Sequence, residues 1–102
     1  MRPREVRALL ERGRPLHAAR VVAFLAPGSG AVAFIAGRRV GGAVQRNRAR
    51  RVLRAAWEQI APEVSEGYDI AWVARQDILG AKTQDLVGEM IELLRGARVT
   101  RG

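Results

Sequence analysis

The stretch Arg38–Arg54 reads RRVGGAVQRNRARRVLR and holds seven arginines and no acidic residue. The whole chain of 102 residues has 18 basic and 10 acidic residues, which gives a net charge of +8. Outside this stretch, 11 basic residues remain against 10 acidic ones, so the excess charge is confined to one segment. Such a local concentration of positive charge is typical of a surface that binds a polyanion.

The same stretch has the periodicity of a helix, which we predict to run from Ala43 to about Ile60, between Gly41–Gly42 and Pro62. At 100° per residue, an apolar stripe forms on one side from Ala49, Val52, Leu53, Ala56 and Ile60. The opposite side carries Asn47, Arg50, Arg51 and Arg54. Arg46 and Arg48 flank the apolar stripe, and Val44 is the one apolar residue that lies off it.

A charged helix face can be merely solvated, but such faces normally mix positive and negative side chains. Here Arg50 repels Arg46 and Arg54 at a spacing of four residues, and no acid lies nearby in the stretch. The guanidinium group is a flat donor that pairs two phosphate oxygens at once. The pattern therefore favours nucleic-acid binding over a solvated face.

The length suggests one domain, residues 1–102, with one modest core. The chain has no cysteine, which excludes disulfides and thiolate metal sites. No apolar run approaches the roughly 20 residues of a membrane span, and no apolar signal core follows the first residues. We therefore expect a cytoplasmic protein.

The other segments predict an α+β fold. We predict a helix over Pro3–Arg12, a strand over Leu16–Ala26, and a second strand over Ala31–Ala36 that forms a hairpin with the first. A central strand over Tyr68–Ala74 and a helix over Gln84–Arg95, capped by Thr83, follow. The order is α-β-β-α-β-α, with an optional third strand before the arginine helix, and the strands around that helix form a crossover within one sheet. Residues 97–102 are predicted to be a frayed tail.

Residues 37–57, GRRVGGAVQRNRARRVLRAAW, resemble the signature of the bacterial ribonuclease P protein subunit. That signature reads basic-basic-x-G-x-A-x-x-R-N-R-x-basic-R-x-x-R. The residues that match it are Arg38, Arg39, Gly41, Ala43, Arg46, Asn47, Arg48, Arg50, Arg51 and Arg54. The later run GYDIAWVAR, residues 67–75, is similar to the last strand of that family, so the resemblance covers nearly the whole chain.

The resemblance implies a single-domain α/β sandwich with a left-handed βαβ crossover, a fold type shared with some ribosomal proteins. It implies an RNA-binding subunit of ribonuclease P, the endoribonuclease whose catalytic RNA removes the 5′ leader of precursor tRNA, while the protein itself carries no catalytic residue. The RNA-binding residues that it implies are Arg38, Arg39, Arg46, Asn47, Arg48, Arg50, Arg51 and Arg54. The leader cleft would include Val6, Leu10 and Phe24, and Mg²⁺ would act through the RNA, with no protein-bound cofactor or metal.

This chain departs from the family pattern at two places. Gly42 stands where the family usually has Asn, so the arginine helix lacks a side-chain cap at its start. The cleft positions Val6 and Leu10 are aliphatic where the family has aromatic residues, so only Phe24 can stack on a base.

Other functions remain open from the residues alone. A ribosomal or other structured-RNA protein would use the same arginine helix. A DNA-binding regulator would need more side chains that read base edges than Gln45 and Asn47 offer. A protein enzyme is the weakest alternative, because His17 is the only histidine and has no cysteine to join it. Asp69 and Asp77 flank the last strand and are expected to be solvated rather than to hold a metal.

Overall fold

The computed structural model describes residues 1–101, and this part of the chain forms three α-helices, three short 3₁₀ helices and a four-stranded sheet. The elements are α1 (Pro3–Arg12), β1 (Arg14–His17), β2 (Val21–Pro27), β3 (Val32–Ile35), α2 (Ala43–Ile60), β4 (Tyr68–Ala74) and α3 (Thr83–Gly96). Helix α1 has Pro3 in its first turn and ends at Arg12, followed by Gly13, as the sequence predicts. The α+β class, the bounds of α2 and the bounds of β4 are all confirmed.

The strand order in the sheet is β1-β2-β4-β3. Strand β4 lies between an antiparallel neighbour, β2, and a parallel neighbour, β3. Because α2 connects the two parallel strands, it is the predicted crossover. The central position of β4 explains its composition, since Ile70, Ala71 and Trp72 are buried on alternating faces of the sheet.

The predicted hairpin between the strands expected over Leu16–Ala26 and Ala31–Ala36 is wrong. The segment expected to be one strand over Leu16–Ala26 is divided at Ala18–Arg20, and its two parts form the antiparallel pair β1–β2. Strand β3 does not pair with β2, because β4 takes the place between them and bonds to both. A strand that is apolar on both faces is more stable at the centre of a sheet than at its edge, so β4 separates two strands that are neighbours in sequence.

The core lies between one face of the sheet and helices α2 and α3. Its largest fully buried side chains are Trp72, Leu53, Ile60, Ile70, Ile78, Leu86, Met90, Leu94, Val21 and Val40. Trp57 packs at the edge of this core, with its ring centre 6.0 Å from that of Trp72. Trp72 is thus fully buried, and Trp57 is half-buried against the same core.

Helix α1 contacts β2 and β4. Leu9 of this helix and Ala71 of β4 are buried without belonging to the main core. Ala71 and its cross-strand partner Phe24 alternate with residues of the main core, so they lie on the second face of the sheet. Helix α1 therefore covers part of this second face, opposite α2 and α3.

The end of the chain differs from the predicted frayed tail. Val99 is 3% exposed and belongs to the core, and Thr100 forms a β-bridge with Val64. The backbone N–H of Arg101 donates to the carbonyl of Glu63 at 2.8 Å. Residues 97–101 therefore pack on the fold, because they cover the end of the core and continue its backbone hydrogen bonding, whereas Gly102 lies outside the described residues.

Helix α3 begins one residue earlier than predicted. Thr83 is its first residue, and Lys82 stands at the capping position. Thr83 is therefore not the cap, and the carboxylate of Asp85 in the first turn accepts a hydrogen bond from the backbone N–H of Lys82 at 2.9 Å.

Candidate nucleic-acid interface

Helix α2 buries one face and presents the other to solvent. Ala49, Leu53, Ala56 and Ile60 are buried, and Val52 is half-buried, so the predicted apolar stripe is confirmed. The sequence-predicted RNA-binding residues that are exposed are Arg38, Arg39, Asn47, Arg48, Arg51 and Arg54. Arg46 and Arg50 are half-buried. The structure thus gathers the eight residues on α2 and on the turn that precedes it.

The arginines of this surface have no acidic partner among residues 1–101. The ion pairs in this part of the chain join Arg20 to Glu89, Arg95 to Glu63 and Glu92, and Arg101 to Glu66. All of them lie outside Arg38–Arg54. The mutual repulsion of the arginines is therefore not offset within the described chain, which favours an anionic partner.

Three of the arginines have neutral partners. Arg48 Nη2 donates to the carbonyl oxygen of Ala81 at 3.1 Å, which links α2 to the segment before α3. Arg50 Nη2 donates to Asn47 Oδ1. The guanidinium carbon of Arg54 lies 5.3 Å from the centre of the Phe34 ring, within the range of a cation–π contact. These contacts orient the side chains without neutralising their charge.

Two glycines shape the start of α2. Gly41 has φ +140°, a conformation that other residues rarely adopt, and a Cβ atom there would lie 3.0 Å from Cβ of Gln45. Gly42 stands at the capping position in an extended conformation, and the helix has no side-chain cap. The uncapped start that the sequence predicts is therefore confirmed.

The parallel pairing of β3 with β4 adds a residue that sequence reasoning missed. Ile35 pairs with Val73, so the chain leaves both strands at the same edge of the sheet. Arg39, four residues after β3, and Arg75, one residue after β4, consequently line one concave surface together with Gln76 and Asp77. Arg75 is exposed, and its Nη1 donates to the carbonyl of Ala18 at 2.8 Å. Arg75 could be assigned to the arginine surface only once the strand pairing was known.

The predicted leader-cleft residues lie where α1 meets the second face of the sheet. Val6 and Leu10 are half-buried and flank the buried Leu9 on one side of α1. Phe24 is half-buried on the second face, away from the main core. Two residues along the strands from Phe24, the half-buried Val22, Val73 and Ile35 are in register with one another and continue the apolar surface across three strands. Sequence reasoning did not include them.

Asp69 has a structural partner. Its Oδ1 accepts hydrogen bonds from the backbone N–H groups of Ser29, Gly30 and Ala31 at 3.1, 3.1 and 2.9 Å. This carboxylate therefore fixes the turn between β2 and β3. Residues 1–101 contain no cluster of three His, Cys, Asp or Glu side chains that could hold a metal ion. No helix in the same range is long and apolar enough to cross a membrane.

Comparison with known proteins shows similarity over nearly the whole chain. The family model described as Ribonuclease P matches residues 1–98. The ribonuclease P protein component of Chloroflexus aggregans is 38% identical over 100 residues, which cover 94% of this chain and 74% of that protein. That of Nitratiruptor sp. is 36% identical over 92 residues, which cover 89% of this chain and 84% of the other.

Solved structures agree in fold. The RNase P protein from Thermotoga maritima superposes with a TM-score of 0.80 at 17% sequence identity, over 93% of this chain and 94% of that one. The Staphylococcus aureus RNase P protein superposes with a TM-score of 0.81 at 17% identity, over 97% and 94% of the two chains.

Proposed function

The chain belongs to the ribonuclease P protein component family, and from this premise we propose how its surfaces serve the enzyme. Family membership makes it a component of an endoribonuclease that works with an RNA subunit. In our proposal the RNA subunit carries the chemistry, the arginine surface of α2 binds that RNA, and the cleft beside α1 binds the 5′ leader of precursor tRNA.

The observation that carries this proposal is the unpaired arginine surface. Eight basic or amide side chains lie on α2 and the turn before it, and none of the arginines has an acidic partner within residues 1–101. A phosphate backbone supplies the missing negative charge, and the displaced counterions make the binding favourable. Arg75 extends the same surface toward the edge of the sheet.

The cleft supports the second part of the proposal. Phe24 is the only Phe, Tyr or Trp of the strands on the second face of the sheet within the described residues, and it is half-buried rather than enclosed. A single-stranded leader laid beside α1 would stack one base on Phe24 and make apolar contacts with Val6 and Leu10. Stacking of a base on an aromatic side chain is a common mode of single-stranded RNA binding.

In this proposal Mg²⁺ acts on the RNA and is not bound by the protein. A folded RNA needs divalent cations to screen the repulsion between its phosphates, and fixed arginines screen part of the same repulsion. The protein should therefore lower the Mg²⁺ concentration that correct cleavage requires, while it contributes no catalytic group.

Reconstitution tests the proposal. The protein would be combined with the ribonuclease P RNA of Chloroflexus aggregans, whose protein component is 38% identical to this chain, and cleavage of precursor tRNA followed over a Mg²⁺ titration. We expect correct 5′ cleavage at lower Mg²⁺ with the protein than with the RNA alone, and no cleavage by the protein alone.

A matched control uses Arg95, an exposed arginine on α3 that pairs with Glu63 and Glu92. The Arg95→Ala variant should keep the effect, and a variant with Arg46, Arg50 and Arg51 all replaced by Ala should lose it. Cleavage by the purified protein without RNA, or an unchanged Mg²⁺ requirement in the presence of the protein, would refute the proposal.

A further inference from the structure

Val44, Arg48, Arg51 and Ala55 form one line along α2, because they are spaced i, i+4, i+7 and i+11. The part of this line from Arg48 to Ala55 faces the start of α3, where Arg48 donates a hydrogen bond to the carbonyl of Ala81. Arg48, Arg51, Val52, Ala55 and Thr83 line a single groove of about 350 Å³ between the two helices. The groove lies beside the arginine surface, and neither Ala55 nor Thr83 belongs to the signature of the family.

The lining of the groove combines two kinds of chemistry. Arg48 and Arg51 are exposed at its rim and have no acidic partner among residues 1–101. Val52 and Ala55 are half-buried and form an apolar floor, and the half-buried Thr83 adds one hydroxyl group. A cationic rim above an apolar floor matches a nucleotide, which has a charged phosphate and a base with an apolar face.

Val44 extends this pattern beyond the groove. It is 78% exposed, although it stands in the first turn of a helix where a polar residue would be better solvated. A single exposed apolar residue needs no explanation by itself. Val44 lies one helical turn before Arg48, on the line that ends in the groove. An RNA strand that follows this line would therefore contact Val44.

We propose that the groove between α2 and the start of α3 holds an unpaired nucleotide of the RNA, and this inference rests on the proposed RNA-binding function. Arg48 and Arg51 contact the phosphates on either side of the nucleotide, Val52 and Ala55 contact its sugar or base, and Val44 packs against the adjoining residue. A base-paired helix would present its phosphates to the arginines but would keep its bases out of the groove. The apolar floor is therefore the feature that selects an unpaired nucleotide.

The first test fills the groove. Ala55→Leu adds bulk at a half-buried position of α2, and Ala8→Leu adds the same bulk at an exposed position of α1 as a control. Affinity for the Chloroflexus aggregans ribonuclease P RNA would be measured over a salt series. We expect Ala55→Leu to weaken binding by about tenfold or more, with an unchanged salt dependence, because no charged contact is lost.

The outcomes separate this inference from the proposed function. If the RNA binds the wild type and Ala8→Leu but Ala55→Leu binds equally well, the groove is empty in the complex and this inference fails while the function stands. If Ala55→Leu flattens the salt dependence as much as Arg51→Ala does, the added bulk displaces the arginines and the floor has no role. If the wild type shows no salt-dependent binding at all, the proposed function itself fails.

The second test uses a position whose replacement cannot disturb the core. Val44→Ala removes two methyl groups from a side chain that is 78% exposed, so the fold should keep its stability. We expect a loss of affinity of about threefold to tenfold with an unchanged salt dependence, because the lost contact is apolar. Wild-type affinity in Val44→Ala would overturn the extension of the site to this residue.

A third test locates the bound nucleotide. The chain has no cysteine, so Thr83→Cys would provide a single thiol for a short photocrosslinker at the groove. Crosslinks to one or a few unpaired nucleotides of the RNA are expected, and Ala55→Leu in the same background should reduce their yield. Crosslinks only to base-paired segments would overturn the inference.

Discussion

At the scale of single residues, the arginines of α2 differ in what holds them. Arg48 donates to Ala81, and Arg54 lies over Phe34, whereas Arg51 is exposed and has no partner among residues 1–101. Arginines that are held by neutral partners lose less conformational entropy when they bind a phosphate. The partners of these side chains therefore decide whether a substitution affects RNA binding alone or also the stability of the fold.

A comparison of Arg51→Ala with Arg54→Ala tests whether an arginine without a partner affects RNA binding alone, while one with a partner also affects stability. Each substitution should flatten the dependence of log K on log salt by about 0.7–0.9, the value for one phosphate contact. Arg54→Ala should also lower the free energy of unfolding by about 0.5–1 kcal/mol, since it removes the contact with Phe34. Binding would be followed by a salt titration and stability by urea denaturation, with Arg95→Ala as the control. If neither variant changes the salt dependence, α2 does not form the RNA-binding surface.

Phe24 provides a second residue-scale prediction. Phe24→Leu keeps an apolar side chain on the second face of the sheet but cannot stack on a base. We expect it to weaken binding of precursor tRNA to the reconstituted enzyme by about 1–3 kcal/mol and to leave binding of mature tRNA nearly unchanged. Equal losses for both forms of tRNA, together with a lower melting temperature, would mean that Phe24 serves packing against α1 only.

At the scale of elements, the start of α2 is unusual for a helix of 18 residues. No side chain caps it, and no acid stands in its first turn, although both features normally stabilise a helix start. The stability of α2 therefore comes from its buried face, where Ala49, Leu53 and Ala56 pack against the core. Gly41 and Gly42 form the turn into the helix, Gly41 with φ +140° and Gly42 with an extended backbone at the capping position.

The two glycines should respond in opposite directions to substitution. Gly42 has an extended backbone, and Gly42→Ser would add a cap, so the free energy of unfolding should rise by about 0.5–1 kcal/mol. Gly41→Ala should lower it by about 1–2 kcal/mol, because φ +140° is unfavourable for alanine and its Cβ would crowd Gln45. Thermal denaturation measures both effects, and Gly42→Ala separates the loss of backbone freedom from the cap. A destabilised Gly42→Ser variant would contradict this account.

At the scale of the whole molecule, the sheet separates two proposed binding surfaces, which lie on its opposite faces. Helix α1 and the apolar second face, which includes Phe24, lie on one side, and α2 with its arginines lies on the other. Residues 97–101 pack against the core on the same side of the sheet as α2, where Val99 is buried and Thr100 pairs with Val64. Ion pairs of Glu63 and Glu66 with Arg95 and Arg101 lie at this end, so acidic residues are paired away from the arginine surface.

Two valines test the role of the chain end. Val99→Ala should lower the free energy of unfolding by about 1–3 kcal/mol, because it leaves a cavity at a residue that is 3% exposed. Val44→Ala is the matched control, and at 78% exposure it should change stability by less than about 0.5 kcal/mol. Urea denaturation compares the two variants directly. Equal stabilities would show that residues 97–101 do not contribute to the folded state.

The features that follow from short stretches of sequence could be predicted without a structure. The bounds of α1 and α2, the buried and charged faces of α2, the uncapped Gly42 and the central position of β4 were all predictable, because each depends on residues close together in the chain. The concentration of arginine in Arg38–Arg54 and its match to a family signature were likewise readable without a structure.

The strand pairing and the contacts of residues 97–101 became known only from the folded structure. The hydrogen bonds of β4 with both β2 and β3 join segments that lie far apart in the sequence, and no local pattern encodes that choice. The same pairing brings Arg75 to Arg39, and the packing of α3 on α2 creates the groove lined by Arg51 and Thr83. These surfaces depend on contacts between distant segments, whose free energy is decided by the burial of the whole core rather than by any one stretch.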